Sequence, residues 1–148
     1  MKAVIQRVSS SQVVVDQQLV GQIGLGLVIL LGVSKGDTKA DADYLASKIV
    51  NLRIFADSHS KMNLSVKEVQ GQLLVVSQFT LCGDCRKGRR PSFVNAAVPE
   101  VAEELYQYFI QKLTAEGVAV ETGIFQAEML VQINNNGPVT FVVDSREN

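Results

Sequence analysis

Only two cysteines occur in 148 residues, too few for a disulfide framework in a chain of this size, so a reducing, cytosolic setting is expected. A single histidine leaves no Cys/His cluster to hold zinc. That residue, His59, sits in the polar run Asp57-Ser58-His59-Ser60, where no strand or helix fixes it as a base beside a nucleophile. Three prolines form no Pro-rich linker, and neither a repeat nor a low-complexity tract divides the chain. No apolar run approaches the ~20 residues of a membrane helix, the longest being Leu27 to Leu31. The alternating N-terminus lacks the charged head and apolar h-region of a signal peptide, and none is expected. An excess of charge is missing too: fourteen Lys and Arg stand against fifteen Asp and Glu. That balance excludes a generally basic nucleic-acid coat and leaves any RNA contact to a local patch.

What remains is globular composition, 47% hydrophobic and 20% charged, and a length that suits one domain over residues 1–148. Lys2 to Val8 alternates with the period of a strand, Val13 to Val15 and Leu19 to Ile23 continue it, and Asp16-Gln17-Gln18 reads as a turn. Leu27 to Val33 and Leu73 to Val76 are continuous apolar runs, short enough for strands buried on both faces. Thr38 with Asp41 three residues on predicts a capped helix, along which Ala42, Leu45, Ile49 and Leu52 recur. Pro99, followed by Glu100, Glu103 and Glu104, predicts a second helix that carries Val101, Leu105, Phe109 and Leu113 and stops at Gly117. Val118 to Glu121, Met129 to Ile133 and Val139 to Val143 complete about eight strands and two helices. The expected fold is α+β, a curled, mostly antiparallel, barrel-like sheet packed by the helices.

Several constellations stand out. Cys82-Gly83-Asp84-Cys85 has the spacing of a redox pair, yet the basic run after it is a poor helix start for lowering a thiol pKa. In that run four of the five residues Arg86 to Arg90 are cationic, namely Arg86, Lys87, Arg89 and Arg90, whereas Asn95 to Glu128 holds six Glu and one Lys. The run is either a solvated loop or a phosphate-gripping patch made flexible by Gly88. Ser77-Gln78-Phe79-Thr80 closes an apolar strand, a common place for site residues. Asn134 to Asn136 before Gly137-Pro138 reads as a hairpin turn, and Gly-Pro is a bond that tolerates the cis state. Phe125 and Met129, four apart, read first as core.

Together these segments resemble the D-aminoacyl-tRNA deacylases from end to end. The resemblance is carried by Ala3 to Val8, Lys48 to Phe55, Lys61 to Ser65 and Arg86 to Phe93. Two motifs at the family's distance add to it, Ser77-Gln78-Phe79-Thr80-Leu81 and Gly137-Pro138-Val139-Thr140. It implies a homodimer with its active site at the subunit interface, no metal or other cofactor, and hydrolysis of the ester joining a D-amino acid, or mischarged glycine, to the terminal adenosine of tRNA. Ser77, Gln78, Phe79 and Thr80 are then catalytic, with backbone N–H groups of Phe79 and Thr80 stabilising an oxyanion. Gly137 and Pro138, cis and steadied by Arg7, would reject L-amino acids from the partner's site. Phe125 and Met129 resemble an adenosine-binding pair, and Arg86, Lys87, Arg89 and Arg90 the tRNA phosphate patch. Cys82 and Cys85 fall outside the family's motifs. A non-catalytic RNA-binding module and a thiol oxidoreductase are the rival readings.

Overall fold

The computed structural model describes residues 1–147; Asn148, the last residue of the expected domain, lies outside them. In chain order the elements are β1 (Lys2–Val15), β2 (Gln18–Ile23), β3 (Gly26–Gly32), α1 (Lys39–Asn51), β4 (Phe55–Ala56), β5 (Met62–Leu64), β6 (Gln72–Ser77), a 3-10 turn (Phe79–Cys82), α2 (Pro99–Ala115), β7 (Ala119–Thr122) and β8 (Leu130–Asp144). The expected segments Lys2 to Val8 and Val13 to Val15 are one strand. One edge of β1 is shared, its first half pairing with β3 and its second half with β2, both antiparallel. Its other edge pairs antiparallel with β8 from Lys2 opposite Asp144 to Val14 opposite Leu130. β3 and β6 are parallel, as are β6 and β7, which gives the order β2-β1-β3-β6-β7 with β8 on β1. The sheet curls until β2 meets β7: a Cβ at Gly21 would stand 2.5 Å from the Thr122 carbonyl oxygen. This is a nearly closed, barrel-like sheet with two helices on it, as expected; β4 and β5 form a separate two-stranded ribbon.

Periodicity explains where the core lies. Ala3, Ile5, Leu27, Ile29, Leu31, Leu73 and Val75 share one buried cluster with Leu45 and Ile49 of α1 and with Leu105, Phe109 and Leu113 of α2. The alternate residues Val8, Val13, Val28, Leu74 and Val76 pack in a second cluster on the other face. β3 and β6 are thus covered on both faces, which is why their sequence runs apolar without alternation. Each large aliphatic side chain so buried contributes about 1.5–3 kcal/mol. α1 begins as expected, with the Asp41 carboxylate accepting both the Thr38 backbone N–H (2.8 Å) and its hydroxyl (3.1 Å).

The segment Asn134 to Thr140 is not a hairpin turn. β8 continues through it, since its pairing with β1 holds on both sides. Between Asn135, opposite Val8, and Thr140, opposite Gln6, the residues Asn136 to Val139 face Arg7 alone. The excess bulges out, and the Asn135 side-chain amide closes its base by donating to Arg7 O (2.9 Å) and Val139 O (3.2 Å). The Gly137–Pro138 bond within it is cis.

Candidate active site

The parallel strands β3 and β6 end side by side, and the chain turns sharply beyond each. Gln78 N–H donates to Leu31 O at 2.8 Å, extending the pairing one residue before the 3-10 turn begins. Gly32 makes this close approach feasible: a Cβ there would lie 3.0 Å from both the Gln78 carbonyl oxygen and the Leu81 Cβ. The first i→i+3 bond of the turn runs from Leu81 N–H to Gln78 O at 3.2 Å. The N–H groups of Phe79 and Thr80 precede it and therefore have no acceptor within the turn.

A cleft of about 700 Å³ opens at these strand ends, lined by Ser77, Gln78 and Phe79 on one side and by Phe125 and Met129 opposite. Five of the expected site residues, from two distant stretches of sequence, therefore share one cavity. Thr80 does not line it; this exposed residue's hydroxyl accepts a hydrogen bond from the Gln78 side-chain amide. Phe125 is half-buried, its ring 5.8 Å from that of Tyr106 on α2. Tyr106 is buried beneath it and donates its hydroxyl to Val75 O of β6 at 2.8 Å. Burial pushes the Tyr106 phenol well above the ordinary tyrosine range. Pro99 and Ala102, at the start of α2, also line the cleft. Sequence reasoning read Pro99 only as a helix start, and nothing local marks a helix end as a cleft wall.

The other expected residues lie elsewhere in the protomer. Gly137 and Pro138 do not line the cleft; they are exposed on the β8 bulge. Arg7 lies beneath that bulge, donating from Nη1 to Ile54 O (2.6 Å) and from Nη2 to Asn136 Oδ1 (3.3 Å). Its Nε is buried with no acceptor among the described residues. Arg86, Lys87, Arg89 and Arg90 are exposed in the loop after the 3-10 turn. Arg86 is tied to Asp84 by two bonds, Nε to Oδ1 at 2.9 Å and Nη2 to Oδ2 at 2.6 Å, and its guanidinium holds the Asp84 carboxyl well below the usual range. Cys82 is buried, with Sγ 3.3 Å from Ser34 Oγ and 3.4 Å from Val33 O, while Cys85 is exposed. Cys82 ends its 3-10 turn rather than starting a helix.

A second cavity, of about 560 Å³, lies on the far side of the turn. Lys2, Lys35, Arg86 and Arg146 line it together with Ser34 and Asn95. Apart from Arg86, its cations carried no signal in the sequence, because they are isolated residues drawn together by β1, the β3–α1 connection and the end of β8.

Comparison with known proteins places this geometry. Residues 4–144 match the family described as D-Tyr-tRNA(Tyr) deacylase. A D-aminoacyl-tRNA deacylase of Clostridioides difficile (strain 630) is 58% identical over 145 residues, 98% of this chain and 97% of that protein. One from Dehalococcoides mccartyi is 60% identical over 147 residues, covering 99% and 96%. Among solved structures, the c-Myc DNA unwinding element binding protein superimposes with a TM-score of 0.91 at 39% identity, covering 97% of this chain and 98% of its own. A probable eukaryotic D-amino acid tRNA deacylase, 18% identical with a TM-score of 0.77, covers 96% and 98% and shares the fold.

Proposed function

The chain belongs to the D-Tyr-tRNA(Tyr) deacylase family, and from that premise we propose how its cleft frees tRNA of a D-amino acid. It is a D-aminoacyl-tRNA deacylase, a hydrolase of the ester between a D-amino acid and tRNA. The observation that carries the mechanism is the meeting, in one cleft, of the Ser77–Phe79 strand end with Phe125 and Met129. An aromatic ring and a thioether offer an apolar, polarizable face to adenine. The ester carbonyl then lies over the 3-10 turn, where the N–H groups of Phe79 and Thr80 donate to the oxyanion as water attacks. Two fixed donors need no reorganisation in the transition state, and an activated ester needs little beyond positioning. The free 2′-hydroxyl of the terminal ribose assists proton transfer; the single histidine, His59, is not among the described residues that line the cleft. The Thr80 hydroxyl is not the nucleophile: among the described residues its hydrogen-bond partner is the Gln78 amide, which is no base, and an unactivated hydroxyl is weak at neutral pH.

Chirality is selected by Gly137 and Pro138 of a second copy, so that the working unit is a homodimer with its site at the interface. Three observations support this reading. The bulge is exposed and lies outside its own protomer's cleft; Leu130, Phe141 and Val142 on β8 are exposed apolar residues, Val142 at 73%; and the buried Arg7 Nε has no acceptor among the described residues. Backbone yields less than side chains, so it is a suitable wall against an L side chain, whereas glycine passes. The basic loop with Lys87, Arg89 and Arg90 holds tRNA phosphates, and the reaction is placed in the cytoplasm. Incubation with matched D- and L-tyrosyl-tRNA tests the reading: the D ester is lost and the L ester persists. Binding of charged and uncharged tRNA alike, without ester loss, would establish the non-catalytic alternative. Pro138→Ala should weaken the D/L preference; an unchanged preference, or a monomer fully active at assay concentration, refutes the interface site.

A further inference from the structure

We propose that the second cavity is a phosphate subsite, which takes a backbone phosphate from the single-stranded 3′ end of tRNA upstream of the terminal adenosine. The proposal rests on the reading of the cleft as the seat of that adenosine.

Charge is the first argument. Four cations, Lys2, Lys35, Arg86 and Arg146, line the cavity against two carboxylates, Asp84 and Asp144, a local surplus of two in a chain whose net charge is -1. Asp37, to which Arg146 also binds (2.8 Å), is buried and matched to the Met1 ammonium at 2.9 Å. Both guanidiniums are held in place yet keep donors to spare. Arg86 gives Nε and one Nη2 hydrogen to Asp84, and Arg146 gives its Nη2 hydrogens to Lys35 O (2.5 Å) and Asp37. A guanidinium carries five N–H groups, so each retains three for an incoming oxyanion, already oriented. Lys35 is paired with no carboxylate among the described residues.

Position is the second argument. The two cavities stand back to back across one thin wall. Val33 lines the cleft and Ser34 the second cavity; Ala97 lines the cleft and Asn95 the second cavity; Phe79 lines the cleft and Cys82 the second cavity. Two backbone bonds hold the wall, Lys35 N–H to Asn95 O at 2.9 Å and Ala97 N–H to Val33 O at 3.0 Å. The wall is a single pair of bridged segments, Val33 to Lys35 against Asn95 to Ala97. Beside it, Phe79 lines the cleft and Phe93 packs on Gly83, which lines the second cavity. The two rings meet edge to face at 5.0 Å, and a Cβ at Gly83 would stand 2.9 Å from that of Phe93. Both rings are exposed, at 55% and 38%. An exposed aromatic pair between a base-sized cleft and a cationic cavity is the arrangement that grips single-stranded nucleic acid by stacking and charge together.

The test compares two substrates of the full-length protein: D-tyrosyl-tRNA, and the ester of D-tyrosine with adenosine alone, which has no phosphate. For single strands each phosphate contact adds about 0.7 to the log–log salt slope. Lys35→Gln or Lys2→Gln should therefore lower kcat/KM on D-tyrosyl-tRNA about fivefold at 0.1 M salt and flatten its slope by about 0.7. Hydrolysis of the adenosine ester should proceed at the wild-type rate. Wild-type values of both kcat/KM and slope on tRNA in these variants overturn the subsite, as does an equal loss on both substrates. If the wild-type protein cleaves neither ester, the reading of the cleft fails and the subsite with it; if it cleaves both and the lysine variants match it, the subsite alone fails.

Discussion

Replacing Tyr106 by Phe removes one oxygen from beneath the cleft and leaves the ring. The hydroxyl is 2% exposed with its residue and donates to Val75 O at 2.8 Å, a bond that contributes about 1 kcal/mol net. Val75 O keeps a second donor, Gly123 N–H at 3.3 Å, so the larger cost of a stranded buried carbonyl does not arise. At neutral pH the variant should be about 1 kcal/mol less stable, about 3 °C in Tm for a chain of this size. Burial raises the Tyr106 phenol above its unfolded value, which lies near 10. Above that pH the unfolded chain sheds the proton while the folded chain keeps it. The contribution of Tyr106 is therefore complete below about pH 10 and is lost as pH rises. By pH 11 the loss is on the order of 1 kcal/mol, comparable to what the bond supplies, whereas Phe has no such penalty. Urea melts of both proteins from pH 7 to 11 should show a stability gap that closes as pH rises above about 10. A gap that stays constant over this range would mean that the phenol ionises alike in both states. A variant more stable at pH 7 would refute the hydrogen bond's contribution.

Gly32→Ala should leave the protein folded but push the 3-10 turn away by a few tenths of an ångström, since the new methyl meets the Gln78 carbonyl at 3.0 Å; kcat should fall roughly three- to tenfold, on the scale by which small misplacements slow positioned reactions, and an unchanged kcat would dissociate the turn from catalysis. Thr80→Ala should keep activity within about tenfold of wild type, because the backbone N–H survives; a trapped acyl-Thr80 ester would restore a covalent mechanism. Arg89→Gln with Arg90→Gln should weaken tRNA binding and lower the salt slope by about 1.4 without altering the D/L preference, and a shift in that preference would move these residues into the chiral site.

Much of the fold was legible because its signals are local. The cap at Thr38, the Pro99 start and the unbroken apolar runs of β3 and β6 each report an element directly. What was not legible depends on partners. Nothing in Asn134 to Thr140 reveals that β1 is long enough to keep β8 paired on both sides of a bulge, so turn-forming residues read as a turn. The parallel pairing of β3 with β6 is likewise a tertiary fact. The site divides in the same way. Ser77 to Phe79 could be found because a strand visibly ends there, and Phe125 and Met129 because of the family resemblance. Lys2, Lys35 and Arg146 could not, since a lone cation signals nothing until the chain is folded around it. Arg86 looked like one more free charge, and only the structure shows its two bonds to Asp84.

The pairing of Lys2 with Asp144 has a consequence for biosynthesis. β1 leaves the ribosome before its partners, and its β2- and β3-facing edge is covered once β2 and β3 have followed, within a few seconds at ordinary rates of elongation. Its opposite edge waits for β8, more than a hundred residues further along the chain. Throughout that interval a 14-residue strand presents an open row of backbone donors and acceptors, the surface on which nascent chains on neighbouring ribosomes recognise one another. A messenger truncated before β8 would therefore yield an adhesive product rather than a merely inactive one.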